Sequence, residues 1–115
     1  MALRTKPTVR FKRFTPAIMT LLNTLYACDL GKLVGQPEDL VITSANDSQH
    51  GPQSRHGKDE ALDLRSKTFA DETAKNLFRA HLARQLGPRF TVLYEAPGTE
   101  KQHFHCQPKK GTTYP

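Results

Sequence analysis

The chain has 115 residues, of which 37% are hydrophobic, so we expect a single domain over residues 1–115 with its core at roughly 14–108 and charged, flexible ends. No apolar run approaches the roughly 18 residues that a membrane span needs, which argues against membrane insertion. The net charge of +6, from 17 basic and 11 acidic residues, favours anionic partners such as a cell wall, a membrane surface or nucleic acid.

The first third of the sequence predicts scaffold rather than chemistry. Residues 1–13 are basic, and the apolar stretch after them is interrupted by polar residues, so no signal peptide is predicted. Val9 and Phe11 alternate with basic residues, which is compatible with a short edge strand. Thr15-Pro16 predicts a helix start, because a hydroxyl cap precedes a proline at the first helical position. Gly31 is the predicted stop of this helix.

The remaining elements alternate between short strands and one further helix. A β-branched run predicts a buried strand at 40–44, and strands are also predicted at 61–64, 90–95 and 101–107, the last two as a hairpin. Between them, Thr68 and Asp71 resemble a capping box that opens a helix with an apolar side, ended by Gly87-Pro88. That apolar side is formed by Ala70, Ala74, Leu77, Phe78, Leu82 and Leu86. The predicted fold class is therefore α+β, with a small antiparallel sheet of about four strands and two main helices.

The two cysteines and one histidine have structural interpretations. Cys28 and Cys106 are far apart and form no CxxC pair, so we expect two buried or half-buried thiols and no disulfide framework. His81 lies on the second predicted helix without a second ligand four residues on, which favours a surface or packing role.

The chemistry concentrates in two clusters. His103 and His105 lie two apart on a predicted strand, so both side chains should leave one face while Phe104 enters the core. The other cluster contains His56, which ends a long polar segment, and Asp63, which lies on the next strand facing away from the core. An aspartate between two core leucines needs a partner, and Arg65 on the same face is the alternative to a metal ion.

A catalytic zinc ion takes three protein ligands from nitrogen, oxygen or sulfur and keeps one position for water. His56, Asp63 and one of the two strand histidines can supply them. The sequence therefore predicts a Zn2+ site that joins the two clusters.

The segment from Ser54 to Asp63 resembles the S-x-H-x-x-G-x-A-x-D motif of the LAS-type zinc peptidases, which include D-Ala-D-Ala carboxypeptidases and phage L-alanyl-D-glutamate endopeptidases. Ser54, His56, Ala61 and Asp63 match the motif, while Asp59 replaces its glycine. The strand before the polar segment and the C-terminal histidine strand are similar to those of the family as well. The likeness spans roughly residues 40–107 and implies a Hedgehog/DD-peptidase-like fold.

The resemblance implies roles for individual residues. His56, Asp63 and His105 correspond to the zinc ligands, and His103 to a catalytic histidine beside the metal. In a second assignment His103 is the ligand and Glu100, three residues earlier, is the base. Glu95 is a further acidic candidate on the hairpin, and Ser54 is expected to contact substrate.

The function implied by the resemblance is a zinc peptidase that cleaves peptidoglycan stem peptides, as a carboxypeptidase or an endopeptidase. Small size and no signal peptide suit a phage lysis or entry enzyme, held in the host cytoplasm before its release to the wall, or carried in the virion. Peptidoglycan is then the partner, and nucleic acid is not expected. The alternatives are a non-catalytic zinc-binding module of the same fold and a metal-dependent nuclease.

Overall fold

The chain folds into two helices and one five-stranded sheet, which confirms the predicted α+β class. The computed structural model describes residues 2–28, 35–45 and 60–109. No helix within these residues is long and apolar enough to cross a membrane. In chain order the elements are β1 (Ala2–Thr5), α1 (Pro16–Ala27), β2 (Asp39–Ser44), β3 (Leu62–Arg65), α2 (Glu72–Leu86), β4 (Phe90–Glu95) and β5 (His103–Pro108).

The sheet has the order β1-β2-β3-β5-β4 and is mixed. The four predicted strands correspond to β2, β3, β4 and β5, and the neighbours among them pair antiparallel. The fifth strand, β1, pairs parallel with β2, so the prediction of about four antiparallel strands is one strand short. Strand β1 lies at the edge of the sheet next to β2, and α1 connects the two strands in the chain.

The N-terminal strand lies earlier in the chain than the alternation at Val9 and Phe11 indicated. Lys6 donates its backbone N–H to Ile42 O at 2.8 Å, which continues the β1–β2 pairing. The chain then turns at once, because the backbone N–H of Val9 donates to the carbonyl of Lys6 at 3.0 Å. Val9 is buried at 8% exposure, but it reaches the core from this turn and not from a strand.

The start of α1 is confirmed and the start of α2 is corrected. Thr15 Oγ1 accepts the backbone N–H of Ile18 at 3.3 Å, and Pro16 is the first helical residue. Helix α1 ends at Ala27, and the predicted stop at Gly31 lies outside the described residues.

The cap of α2 is Asp71, not Thr68: its carboxylate accepts the backbone N–H of Ala74 at 2.8 Å. An ionised acceptor suits the positive end of the helix dipole, which explains why the aspartate takes this position.

Both helices contribute to one hydrophobic cluster with the inward side chains of the sheet. Its centre is aromatic: the ring centroids of Phe78 and Phe104 are 4.9 Å apart, and Phe69 lies 5.0 and 5.3 Å from them. Leu77, which the helical pattern assigned to the apolar side of α2, is instead 43% exposed. It lies about 100° around the helix from Phe78, which occupies the centre of the buried arc. Gly87 ends α2 with a φ of 83°, a conformation that glycine adopts without a Cβ clash.

Cys28 and Cys106 are both buried thiols, as the sequence predicted. Cys106 is fully enclosed on β5, between β3 and β4. Burial raises the pKa of its thiol far above the ordinary value, and the nearby charge of Asp63 raises it further.

Candidate functional site

Strand β5 sends its two histidines to one side of the sheet and its apolar residues to the other. His103 and His105 are half-buried, while Phe104 and Cys106 are 0% exposed. This alternation confirms that the two imidazoles share a face. We call the surface formed by Asp63, Arg65, His103 and His105 the site face.

The strand register places an acidic residue opposite each histidine. Asp63 on β3 is the cross-strand partner of His105, and Glu95 on β4 is the partner of His103. Directly opposite residues on one face of an antiparallel pair have their Cβ atoms about 5 Å apart, close enough for side chains to bond. Pairing between strands, and not neighbourhood in sequence, therefore assembles two carboxylate–imidazole pairs side by side.

The pair of Asp63 and His105 is the shorter and more enclosed of the two. His105 Nδ1 lies 2.8 Å from Asp63 Oδ1, and the side chains are only 13% and 17% exposed. Because an ionised carboxylate only accepts, Nδ1–H is the donor. His105 Nε2 lies 2.7 Å from Gln107 Oε1, the next residue on the same face of β5. Both ring nitrogens are thus engaged, which fixes the orientation of the imidazole.

The environment of His105 raises its pKa above the ordinary value for histidine. Burial of the ring opposes the charged form and would lower the pKa on its own. The hydrogen bonds with Asp63 and Gln107, together with the charges of Asp63 and Glu95, outweigh that cost. A proton on His105, hydrogen-bonded to Asp63, is therefore favoured.

His103 makes two contacts with oxygen atoms. Its Nε2 lies 2.9 Å from Glu95 Oε1, and its Nδ1 lies 2.7 Å from the carbonyl oxygen of Lys101. Both oxygens accept, so both contacts are hydrogen bonds only when the ring carries a proton on each nitrogen. The Nε2 atom also lies 3.9 Å from Asp63 Oδ1, which links the two pairs.

The other acidic candidate, Glu100, contacts a lysine and not an imidazole. Its side chain is fully exposed and lies 3.7 Å from Lys67 Nζ. Gln102, which occupies the position three residues before His105, turns towards α2. Its Oε1 accepts hydrogen bonds from Ser66 Oγ at 2.9 Å and Lys75 Nζ at 2.8 Å. Of the acidic candidates from the hairpin, Glu95 is the one that contacts His103.

Two donor atoms of the predicted zinc site face each other in the structure. A tetrahedral zinc ion with bonds of about 2.0 Å holds its ligand atoms about 3.3 Å apart, so the 2.8 Å separation of Asp63 Oδ1 and His105 Nδ1 would need to open only slightly. Carboxylate oxygen and imidazole nitrogen are both ligands that zinc accepts. Within residues 2–28, 35–45 and 60–109, no group of three or more His, Cys, Asp or Glu side chains could hold a metal ion. The third ligand of the predicted zinc site, His56, is not among these residues.

The predicted third ligand, His56, and the predicted substrate contact, Ser54, lie outside the described residues. The structure thus brings together Asp63, His103 and His105. That His56 and Ser54 lie close to these three residues stays a prediction. Their segment joins β2 to β3, and β3 carries Asp63.

Gln107 is the contact that the sequence interpretation missed. The signal was available: it lies two residues beyond His105 on an alternating strand, so it had to share the same face. Glutamine is common on half-exposed strand faces, and its side chain alone does not indicate a role beside an imidazole.

Comparison of the chain with protein-family models finds no match. Comparisons with curated proteins and with solved structures find no match either. The resemblance to the LAS-type zinc peptidases therefore rests on the motif in the sequence.

Proposed function

We propose that this chain is a zinc-dependent peptidase of the LAS type, with a Hedgehog/DD-peptidase-like fold, that cleaves peptide bonds in peptidoglycan stem peptides. The observation that carries the proposal is the pairing of Asp63 with His105 at 2.8 Å, directly beside the pair of His103 and Glu95 at 2.9 Å. One pair has the chemistry of a metal ligand set and the other that of a proton donor and acceptor.

His56, Asp63 and His105 are the residues that would hold the zinc ion. When bound, zinc polarises the scissile carbonyl and lowers the pKa of an attacking water. His103 and Glu95 act beside it as a pair: His103 would give its Nε2 proton to the leaving amine, and the Glu95 carboxylate would accept the proton that the attacking water releases. The Lys101 carbonyl orients the ring through Nδ1. Ser54 is proposed to contact the substrate.

The charge of the chain suits the proposed substrate. A net charge of +6 favours retention near an anionic cell wall. We propose a role in phage lysis or entry, with the protein in the host cytoplasm before release to the wall, or in the virion.

Mass spectrometry of purified peptidoglycan fragments, incubated with the protein and zinc or with a chelator, tests the proposal. We expect zinc-dependent loss of D-alanine or a break in the peptide stem. Alanine at His56, Asp63 or His105 should reduce cleavage to the level of the chelated protein, and His103→Ala should slow it by about 10²–10⁴-fold while zinc stays bound. His81→Ala, on α2, is the matched histidine control and should cleave normally.

Each failure points to a different alternative. Intact peptidoglycan with zinc bound to the folded protein would favour a non-catalytic zinc module. Metal-dependent cutting of DNA, with intact peptidoglycan, would favour a nuclease. Full activity of Asp63→Ala would contradict the site assignment even if the enzyme class were right.

A further inference from the structure

Charge is distributed unevenly along the chain. Residues 1–28 contain five basic and no acidic residues, whereas residues 29–115 contain twelve basic and eleven acidic residues. Most of the net charge of +6 therefore comes from the first quarter of the sequence. Three of the five cations, Arg10, Lys12 and Arg13, are exposed in the segment that leads into α1. A cluster of charges of one sign attracts an anionic partner more strongly than the same charges spread evenly.

The same part of the chain exposes large apolar side chains. Phe14, Met19 and Tyr26 are 60%, 42% and 80% exposed. Among the residues that the structure describes, the other large hydrophobic residues that are exposed are Leu77 on α2 and Leu93 on β4. Single exposed apolar residues are common on protein surfaces, but three within residues 14–26 indicate a contact surface.

The residues around Phe14 hold it at the surface. Its ring stacks on that of Phe11, with centroids 5.3 Å apart and an interplanar angle of 14°. Phe11 packs against the hydrophobic cluster and so anchors the exposed ring. Phe14 precedes the cap Thr15, and Met19 is the fourth helical residue, which are the two positions that a hydrophobic staple brings together. Both exposed side chains therefore lie on the same side of the start of α1.

Helix α1 extends this apolar surface along its length. It contains no charged residue. At about 100° per residue, Met19 and Tyr26 lie within about 20° of each other, and Leu22 lies between them and the buried side. Leu22 packs partly against the core, so the apolar side of α1 is wider than the part that the core covers. We call the exposed residues of this region the α1 surface: Arg10, Lys12, Arg13, Phe14, Met19 and Tyr26.

Helix α1 and the site face lie on opposite sides of the sheet. Ile18 and Leu21 of α1 belong to the same hydrophobic cluster as Phe104, which points inward from β5. The helix therefore covers the face of the sheet away from His103 and His105. A flat partner in contact with α1 would leave both imidazoles accessible.

We propose that the α1 surface binds peripherally to a bilayer that contains anionic lipids. A bilayer offers both of the chemistries that this surface presents, because an anionic headgroup layer lies directly above an apolar one. The three cations would lie at the lipid phosphates and the apolar side chains below them. Tyr26 suits the boundary between the layers, since its ring is apolar and its hydroxyl is polar. Binding of this kind needs no membrane-spanning helix and does not depend on the peptidase activity.

Other partners match only part of the α1 surface. Nucleic acid presents phosphates to the cations, but it offers no apolar layer to an uncharged helix. A second copy of the chain would cover the apolar side chains, but it would bring the same cluster of cations towards the first. Charge and apolar exposure together favour the bilayer.

Flotation of the full chain with lipid vesicles tests the proposal. One set of vesicles contains phosphatidylglycerol and phosphatidylcholine in equal amounts, and the other contains phosphatidylcholine alone. The protein should bind the anionic vesicles at least about tenfold more tightly, because each cation at an anionic surface raises the affinity by about fivefold. Combined substitution of Arg10, Lys12 and Arg13 by glutamine should weaken binding to the anionic vesicles by about 100-fold.

A second triple variant controls for net charge. Combined substitution of Arg84, Arg89 and Lys109 by glutamine removes three exposed cations from another part of the surface. This variant has the same net charge as the first one and should bind the vesicles like the wild type.

The apolar contribution has its own pair of variants. Phe14→Ser combined with Tyr26→Ser should weaken binding to the anionic vesicles by about tenfold or more, because apolar area no longer enters the bilayer. Leu77→Ser combined with Leu93→Ser removes exposed apolar side chains outside the α1 surface and should bind like the wild type.

Tryptophan fluorescence locates the contact. The chain contains no tryptophan, so a single introduced one reports its own surroundings. The emission of Phe14→Trp should shift to the blue when anionic vesicles are added, because the indole leaves water. Leu93→Trp places the indole opposite His105 in the strand register, on the other side of the sheet, and its emission should not shift.

The proposal is overturned if the protein binds neither set of vesicles, if it binds both equally well, or if the two triple variants weaken binding to the same extent. Unshifted emission of Phe14→Trp with anionic vesicles also overturns it. Dimerisation without lipid that Phe14→Ser abolishes would assign the surface to a second copy instead. DNA binding that is lost in the variant at residues 10–13, without vesicle binding, would assign it to nucleic acid.

Discussion

The two faces of β5 differ in almost every respect although they alternate residue by residue. Phe104 and Cys106 point inward, are 0% exposed and contact apolar side chains. His103 and His105 point outward, remain half-buried and contact carboxylates. Because the backbone separates these environments, the strand carries stability on one face and candidate chemistry on the other. Substitutions one position apart should therefore change different properties.

The largest expected effect is on the inward face. Phe104→Ala removes a ring packed against Phe69 and Phe78, and should lower the free energy of unfolding by about 3–5 kcal/mol. His103→Gln, its neighbour on the other face, should lower it by less than about 1 kcal/mol. Urea unfolding measures both. Similar losses for the two variants would abolish the distinction between the faces.

A polar network on the inward side should rank second. Gln102 Oε1 accepts hydrogen bonds from Ser66 Oγ and Lys75 Nζ. Ser66 is 0% exposed and Lys75 is 8% exposed. Gln102→Leu leaves both donors without this acceptor and should cost about 1–3 kcal/mol. Lys75→Met removes one donor, so in a double-mutant cycle by urea unfolding the two changes should cost less together than their sum. Strict additivity would show that the residues do not act as a network.

The smallest effect is a pH dependence from the outward face. Since the folded pKa of His105 is raised above 6.5, its stabilising contribution is complete below that value and is lost as pH rises through the folded pKa. In chelator, wild-type protein should exceed His105→Gln in unfolding free energy by more at about pH 6 than at about pH 9. A difference that grows towards high pH would show that the pKa is lowered instead.

Local patterns in the sequence were sufficient for much of this architecture. Thr15-Pro16 begins α1 because both its signals act within one helical turn. The alternation around Phe104 identifies which side chains share a face, since that depends only on the strand period. The hairpin of β4 and β5 joins neighbours in the chain, and its turn residues lie between them.

The features that were missed depend on contacts between distant segments. Strand β1 exists because residues 2–5 pair with 39–42 across α1, and no local periodicity in four residues predicts such pairing. The partners of the imidazoles follow from register: Glu95 faces His103 only because β4 and β5 align at that residue.

Alkylation of the buried thiol of Cys106 can be used to measure the opening of the central strands. A thiol reacts with alkylating reagents as the thiolate, and burial both blocks access and disfavours ionisation at this position. Labelling of Cys106 therefore requires separation of β5 from its neighbours. The labelling rate of Cys106 then reports how often the strand that carries both imidazoles opens, and no cysteine has to be introduced.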